Sequence, residues 1–355
     1  AYKFLNNPIS LGILLDYRES KSNNNQETII QINKENKNSA SDISLGLIGA
    51  GNYASRVLMP ILKKTRITLD TIISSGGINN THHGKKAGFL FASSDVNKVW
   101  TNKKINTVAI VTRHDTHAQF ILSAIKAKKN IFVEKPLAIR LNDIDKIESL
   151  LDNNINLMVG FNRRFAKHSL ILKKLLDPIK KPKTIIMTVN AGHIPSNHWI
   201  QDKDVGGGRI IGEACHFIDL MRFYIGNPIT SFNTVSMNDT NDPNSAHDKV
   251  TINLNFEDGS FGAIHYLSNG GPSFPKERIE VFCNNSIIQI DNFRKMRGYN
   301  WPGFKKMNLW KQDKGQKKCI EAFLDSIKDG THSPIPKDEI FEVSRVAIQV
   351  AESIN

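Results

Sequence analysis

From about Asp42 the chain alternates short apolar runs with longer amphipathic stretches. "SLGLIGAG" is followed by "YASRVLMPILKKT", and "ITLDTIIS" by "SGGINNTHHGKKAGF" and the short "VNKVWTNK". "TVAIVT" is followed by "DTHAQFILSAIKAKK", and "NIFVE" by "LNDIDKIESLLDNN", before a last run "NLMVGF". Apolar runs of about 4–8 residues bounded by turn residues read as buried strands, and stretches with apolar residues three and four apart read as helices. Strands taken in turn with helices predict an α/β unit over residues 42–161, a doubly wound parallel sheet covered on both faces.

Beyond Phe161 the period changes. "KTIIMTVNAG", "KVTINLNFED", "GSFGAIHYLS", "RIEVFCNN" and "SIIQIDN" are strand-like, and several alternate apolar with polar positions. That is the pattern of an antiparallel sheet with one wet face. "EDGS" at 257–260 is a hairpin signal. "HSLILKKLL", "GEACHFIDLMRFYI", "KKCIEAFLDSIKDG" and "KDEIFEVSRVAIQVAESI" supply helices. Residues 162–355 are therefore expected to form a second, α+β domain. Upstream, residues 1–18 read as the end of another folded unit, and the polar, low-complexity segment 19–41 as a linker.

Composition narrows the class. A length of 355 residues suits two domains. No apolar run reaches the ~18 residues of a membrane helix, and the N-terminus does not read as a basic-then-apolar leader; a cytoplasmic protein without a membrane partner is expected. Cys215, Cys283 and Cys319 are widely spaced, with no CxxC pair, which supports neither a disulfide framework nor a zinc ribbon. The net charge is +13. Its lysines read as scattered and accompany heavy Asn and Ile usage, without a basic stripe interleaved with aromatics. No nucleic-acid partner is expected, and an anionic substrate or cofactor is compatible.

Three stretches carry chemistry. In "LGLIGAGNYA", Gly49, Gly51 and Ala54 form G-x-G-x-x-A between a strand and a helix. That context suits a dinucleotide: a tight turn at Gly49, close backbone approach at Gly51, close helix packing at Ala54 and the N–H groups of Asn52 and Tyr53 at a helix N-terminus. Asp70 lies about 20 residues on but begins its strand rather than ending it; the strand tip is Ser74-Ser75-Gly76-Gly77. Hydroxyls without a carboxylate there tolerate a 2′-phosphate, so NADP is slightly favoured over NAD. Next, Thr112, Arg113, His114 and His117 fall at the tip of one strand, Glu134 and Lys135 at the next, and Asn162, Arg163 and Arg164 after the third. Ligands bind at such carboxyl ends. Finally, Glu213, His216 and Asp219 lie three apart on one predicted helix. The loop before it carries His193, His198 and Trp199, and Gly206-Gly207-Gly208 precedes Arg209. A zinc site from His193, His198, Cys215 and His216 matches no standard ligand spacing, so no metal is expected.

"GLIGAGNYA", "EKP", "GFNRRF" and "GGGRIIGEACHFIDL" together resemble the glucose-fructose oxidoreductase, inositol dehydrogenase and rhizopine-catabolism family over about residues 42–355. The resemblance implies a Rossmann domain followed by a domain with a large open-faced, mainly antiparallel sheet, often used for oligomerisation. It implies hydride transfer between a nicotinamide and a carbinol carbon of a sugar, sugar derivative or cyclitol. It places Lys135, whose bond to Pro136 it implies to be cis, beside the nicotinamide and the reacting oxygen, and it makes His216 a general acid or base. The family usually shows Asp-x-Gly-x-His; here Gly212 stands at the Asp position and Ala214 at the Gly position, with Glu213 the candidate replacement. Arg163, His193, Trp199 and Arg209 become candidate substrate contacts; Gly49 to Ala54, Ser74, Ser75, the Thr112–His117 tip, Glu134, Lys135, Asn162 and Arg164 become candidate cofactor contacts. Two rival readings share the fold: an NAD-dependent glycoside hydrolase and a non-catalytic dinucleotide-binding subunit. "AYKFLNNPISLGILLDY" resembles the end of zinc-type medium-chain alcohol dehydrogenases, and the chain begins without Met, so a covalent N-terminal dehydrogenase module is expected.

Overall fold

The computed structural model describes residues 28–34, 42–237 and 248–354, with residues 77–80 described by their backbone alone. Residues 1–18, read as the end of a preceding unit, lie outside the described residues.

The first sheet has seven strands: β1 (Ile29–Gln31), β2 (Ser44–Ile48), β3 (Thr68–Ile73), β4 (Phe91–Ser93), β5 (Thr107–Ile110), β6 (Asn130–Val133) and β7 (Leu157–Val159). Their order is β1-β4-β3-β2-β5-β6-β7. From β4 to β7 every pair is parallel, and counted from β2 this is the 3-2-1-4-5-6 order of dinucleotide-binding sheets. The central strands β2 and β5 are buried along their whole length because α1 (Met59–Leu62), α2 (Gly77–Ala87), α3 (Asn97–Thr101), α4 (His117–Lys126) and α5 (Leu141–Leu150) cover the sheet. One expectation needs correction: β1 lies inside the segment read as linker. Its β-branched Ile29 and Ile30 pair antiparallel with β4, and the Asn33 side chain donates to the Phe89 carbonyl at 2.6 Å. What the segment gains is the backbone pairing of an open sheet edge, since Ile30 stays 57% exposed.

The second sheet has eight strands: β8 (Thr184–Asn190), β9 (Ile229–Ser236), β10 (Lys249–Phe256), β11 (Phe261–Leu267), β12 (Glu277–Cys283), β13 (Ser286–Asp291), β14 (Lys295–Tyr299) and β15 (Lys306–Asn308). Their order is β15-β14-β13-β12-β8-β11-β10-β9. Only β8 and β11 run parallel. Alternation decides the faces: Ile185, Met187 and Val189 on β8, and Val250, Ile252 and Leu254 on β10, are buried, while their neighbours face outward. On the chain's own helices the picture widens. α6 (Lys167–Leu176) and α7 (Cys215–Ile225) belong to this half, but α8 (Gln316–Lys328) and α9 (Lys337–Glu352) also return to the first. Phe323 of α8 packs on Phe132 of β6 at 5.8 Å between centroids, and Arg345 of α9 pairs with Asp145 and Glu148 of α5. The two sheets therefore share buried helices, and the carboxyl ends of β2, β5, β6 and β7 face the segment leading into α7.

Candidate active site

The glycine loop after β2 is forced by its surroundings. Gly49 has φ +107°, and a Cβ there would stand 2.5 Å from the Val111 carbonyl oxygen. By contrast, a Cβ on Gly51 would meet nothing within 4 Å. The backbone thus bends tightly at one glycine and leaves open space over the other. The following helical turns begin at Asn52 and Tyr53, whose N–H groups, as the first of a helix, have no partner within it. Open space above Gly51 and free N–H donors at a helix start suit an anionic group such as a phosphate. Asp70 stays at the far end of the sheet, held by Thr71 at 2.7 Å and Asn102 at 3.2 Å, so no carboxylate of β3 reaches its tip.

Glu134 and Lys135 stand at the tip of β6, and the Lys135–Pro136 bond is cis. The Lys135 ammonium donates to the Gly212 carbonyl at 2.5 Å. Glu134 turns the other way. It accepts from the Tyr53 hydroxyl, and burial raises its pKa against the pull of that hydrogen bond and of the Lys135 charge. Gly160 makes room for it: a Cβ there would sit 2.7 Å from the Glu134 carboxylate. His117 does not face a ligand. It is fully buried and sits between the Pro136 carbonyl at 2.7 Å and the Thr112 carbonyl at 3.2 Å, tying two strand tips together. Burial holds its pKa down, so a neutral ring donates to one carbonyl only.

His216 opens α7 from the opposite wall. It is buried, and its Nδ1 has no hydrogen-bond partner. Burial first, then the charges of Arg163, Lys135, Lys314 and Lys276, hold it well below its ordinary value, so the imidazole is neutral. Neither Glu213 nor Asp219 pairs with it, which corrects the expectation for Glu213. The stretch Ile210–Ala214 is a wide, π-type turn rather than regular α-helix, and such turns recur at functional sites. It directs Glu213 to the second sheet, where Lys276 donates at 2.7 Å, Tyr266 at 2.5 Å and Arg209 at 2.9 Å. Burial alone would raise its pKa, but Lys276, Tyr266 and Arg209 together hold it at about 2. A carboxylate so placed is a permanent anion, unsuited to trading protons.

Gly212, the position without a side chain, has a physical cause. A Cβ there would stand 2.9 Å from Cε1 of His114 and 3.3 Å from Cδ1 of Ile200. His114 is itself fixed, with Nδ1 2.7 Å from the Gly206 carbonyl and its ring edge-on to Trp199 at 4.9 Å. Burial and the Lys135 charge push its pKa down to about 3. Gly206 is packed so closely on Ile200 that a Cβ would come within 2.4 Å of its Cα. The glycine triplet therefore brings its chain against His114, and the Gly212 carbonyl is what meets Lys135.

Other named residues divide sharply. Arg113 lies over Trp199 at 5.8 Å, at the exposed mouth of the cleft. Thr112 bonds Thr116 at 2.6 Å, and Ser74 receives the Gly76 N–H at 3.3 Å; Ser75 is exposed beside it. His193 is exposed and is not drawn into the cluster. Four others are committed to structure instead. Arg164 is buried against Asp219 at 2.7 Å and also pairs with Glu339. Arg163 pairs with Glu277 at 2.7 Å and covers Phe217 at 4.9 Å. Arg209 holds the Gly192 and Ala191 carbonyls, Asp248 and Glu213. Asn162 donates to the Lys314 carbonyl at 2.6 Å. Burying a guanidinium needs a carboxylate and further acceptors, and these arginines have used theirs. Lys276, Lys314 and Tyr266 escaped the sequence reading: lone lysines in loops and one inward tyrosine give no periodic signal. Among the described residues no group of three His, Cys, Asp or Glu could hold a metal ion, and no helix is long and apolar enough to cross a membrane.

Comparison with known proteins agrees with this architecture. The model of the GFO/IDH/MocA oxidoreductase family with an NAD-binding Rossmann fold matches residues 43–161, and that family's C-terminal domain matches residues 181–289. Myo-inositol 2-dehydrogenase of Thermotoga maritima is 27% identical over 217 residues, 59% of this chain and 64% of that protein. Inositol 2-dehydrogenase of Rhizobium meliloti is 26% identical over 240 residues, 64% of this chain and 71% of that protein. A levoglucosan dehydrogenase solved with NADH and levoglucosan superposes with a TM-score of 0.75 at 20% identity, over 88% of this chain and 98% of that one.

Proposed function

From the premise that the chain belongs to the GFO/IDH/MocA family of NAD-binding oxidoreductases, we propose that it oxidises a CH–OH group of a sugar, sugar derivative or cyclitol, or reduces the matching carbonyl. The observation that carries the reading is Lys135 bonded to the Gly212 carbonyl, near enough for its charge to help keep His216 neutral, beside an open glycine cradle. A nicotinamide dinucleotide, when bound, supplies the hydride acceptor or donor. Gly49, Gly51 and the N–H groups at Asn52 and Tyr53 bind its diphosphate. Lys135 leaves the Gly212 carbonyl to bond the substrate hydroxyl oxygen, orienting it and stabilising negative charge as the proton departs. His216, held unprotonated, accepts that proton at its cleft-facing nitrogen. Trp199, under the Arg113 guanidinium and edge-on to His114, walls the substrate side and keeps water out.

The finer parts of the reading follow the same features. The carboxylate-free tip at Ser74 and Ser75 favours NADP over NAD. The outward face of the second sheet, with Thr188, Thr251, Ala263 and His265, is where two copies would associate, in a cytoplasmic protein. Residues 1–18 would belong to a preceding zinc-type dehydrogenase module on the same polypeptide. The test is reduction of NAD and NADP, followed at the nicotinamide absorbance, with myo-inositol, levoglucosan and a panel of hexoses. Turnover in the parent and a fall of about 100-fold or more in Lys135→Met is expected for the loss of a group that orients the substrate oxygen and stabilises its developing charge. Equal turnover in Lys135→Met would remove the lysine from the chemistry. Dinucleotide that stays bound without net turnover while a glycoside is cleaved would favour the hydrolase instead.

A further inference from the structure

The charge of the chain is less evenly spread than its sequence suggests. Residues 294–318 hold nine lysines and arginines against one acid, Asp313, a net +8 of the chain's +13. They build β14 and β15 at one edge of the second sheet, the turns around them and the first residues of α8; Lys314 and Lys317 pair with Glu277 and Glu321. The register sets Arg297 directly opposite Lys306 and Lys295 opposite Asn308. Gly298 donates to the Lys305 carbonyl and Leu309 to the Arg294 carbonyl, each at 2.8 Å. Those bonds make Arg297–Lys306 a non-hydrogen-bonded pair, the kind in which side chains come closest. Two like charges there destabilise the hairpin. On the other side Arg297 faces Gln289 and Lys295 faces Asp291, so Lys295 has a carboxylate across from it and Arg297 does not. In this alternation the N–H and C=O of Lys306 and Asn308 point away from β14, to an edge where, among the described residues, no strand pairs with them. Trp310, just beyond, is 89% exposed.

We propose that the free edge of β15 is a docking strip for an extended acidic peptide segment of a partner protein. The segment adds a ninth strand and sets a carboxylate opposite Lys306, where it relieves the repulsion with Arg297. The unpaired backbone selects a peptide, since a polysaccharide or nucleic acid meets the charges but cannot continue the ladder. A second copy is disfavoured because its own lysines would face these. Lysines also guard edge strands against stray pairing, but a guard does not require a second cation placed against the first.

The test is fluorescence anisotropy with a labelled heptapeptide alternating Val and Glu. Three other probes are measured beside it: the same peptide N-methylated on its pairing amides, a heparin hexasaccharide and a single-stranded oligothymidine. The proposal expects saturable binding of the unmodified peptide, weakened by salt, and a loss of at least about tenfold on N-methylation. Lys306→Glu should weaken binding at least about tenfold while raising the melting temperature of the free protein. Trp310→Ala should weaken binding less. NADH titration of both variants confirms that they remain folded. No saturable peptide binding, equal binding of the N-methylated peptide, tighter binding of heparin or oligothymidine, or no change in Lys306→Glu would each overturn the proposal.

Discussion

The two walls of the cleft hold their polar groups by different means. The Rossmann wall uses backbone geometry: a left-handed glycine at 49, an open glycine at 51, and His117 joining two strand tips through carbonyls. The facing wall uses buried charge. Glu277 binds Arg163 and Lys314, Glu213 binds Arg209 and Lys276, and Asp219 and Glu339 bind Arg164. Backbone geometry fixes a site cheaply and locally. Buried ion pairs fix it over long sequence distances, and each is costly to break once made.

The largest effect expected from this contrast is on the charged wall. Glu277→Ala leaves the Arg163 guanidinium and the Lys314 ammonium without their shared carboxylate, and should cost about 3–5 kcal/mol of stability in denaturant unfolding. A cost below about 1 kcal/mol would show that water or rearrangement replaces the pair.

Acid acts on both walls next. His114, at about 3, and His117 and His216, also lowered, are neutral in the folded protein but titrate near 6.5 when unfolded. The unfolded chain therefore takes up protons that the folded chain refuses, and stability falls as pH drops from about 6.5 toward 3. His114 alone contributes on the order of 4 kcal/mol at the acid end of that window. Glu213, at about 2 against its ordinary 4.5, adds stability that is present above about pH 4.5 and lost as pH falls toward 2. A thermal-stability profile that stays flat between pH 7 and 5 would contradict buried neutral histidines.

Smaller effects test the glycines. Gly49→Ala meets both its positive φ and the Val111 carbonyl, and should cost about 1–3 kcal/mol. Gly212→Ala meets the end of the His114 ring and should cost about 1–3 kcal/mol by overpacking. Part of that cost, about 0.5–3 kcal/mol, should return in a His114→Ala background. Strict additivity of the two would remove His114 as the reason that 212 carries no side chain.

The same contrast explains what the sequence made legible. The alternation of "SLGLI" with "YASRVLMPILKK" foretold β2 and its helix, and G-x-G-x-x-A foretold the turn, because both depend on neighbours within a few residues. The rim at Thr112, Glu134 and Asn162 followed from strand ends in the same way. The roles of Arg163, Arg164, Arg209 and Glu213 did not follow. Whether an arginine faces a ligand or a buried carboxylate depends on Glu277, Asp219 and Asp248, which lie between 39 and 114 residues away. Helical spacing put Glu213 beside His216, and the π-type turn at Ile210–Ala214 moved it away. β1 was passed over because three apolar-rich residues inside a polar segment are too few to show a period.

The account stands most directly on one measurement: fluorescence titration of the purified chain with NADH and NADPH, beside the Gly51→Trp variant. Gly51 faces open space, so the bulky side chain should leave the fold intact and fill the place of the diphosphate. The account predicts saturable binding to the parent, tighter for NADPH, and none to the folded variant. A folded parent that binds neither nucleotide, or a variant that binds as well as the parent, would contradict it.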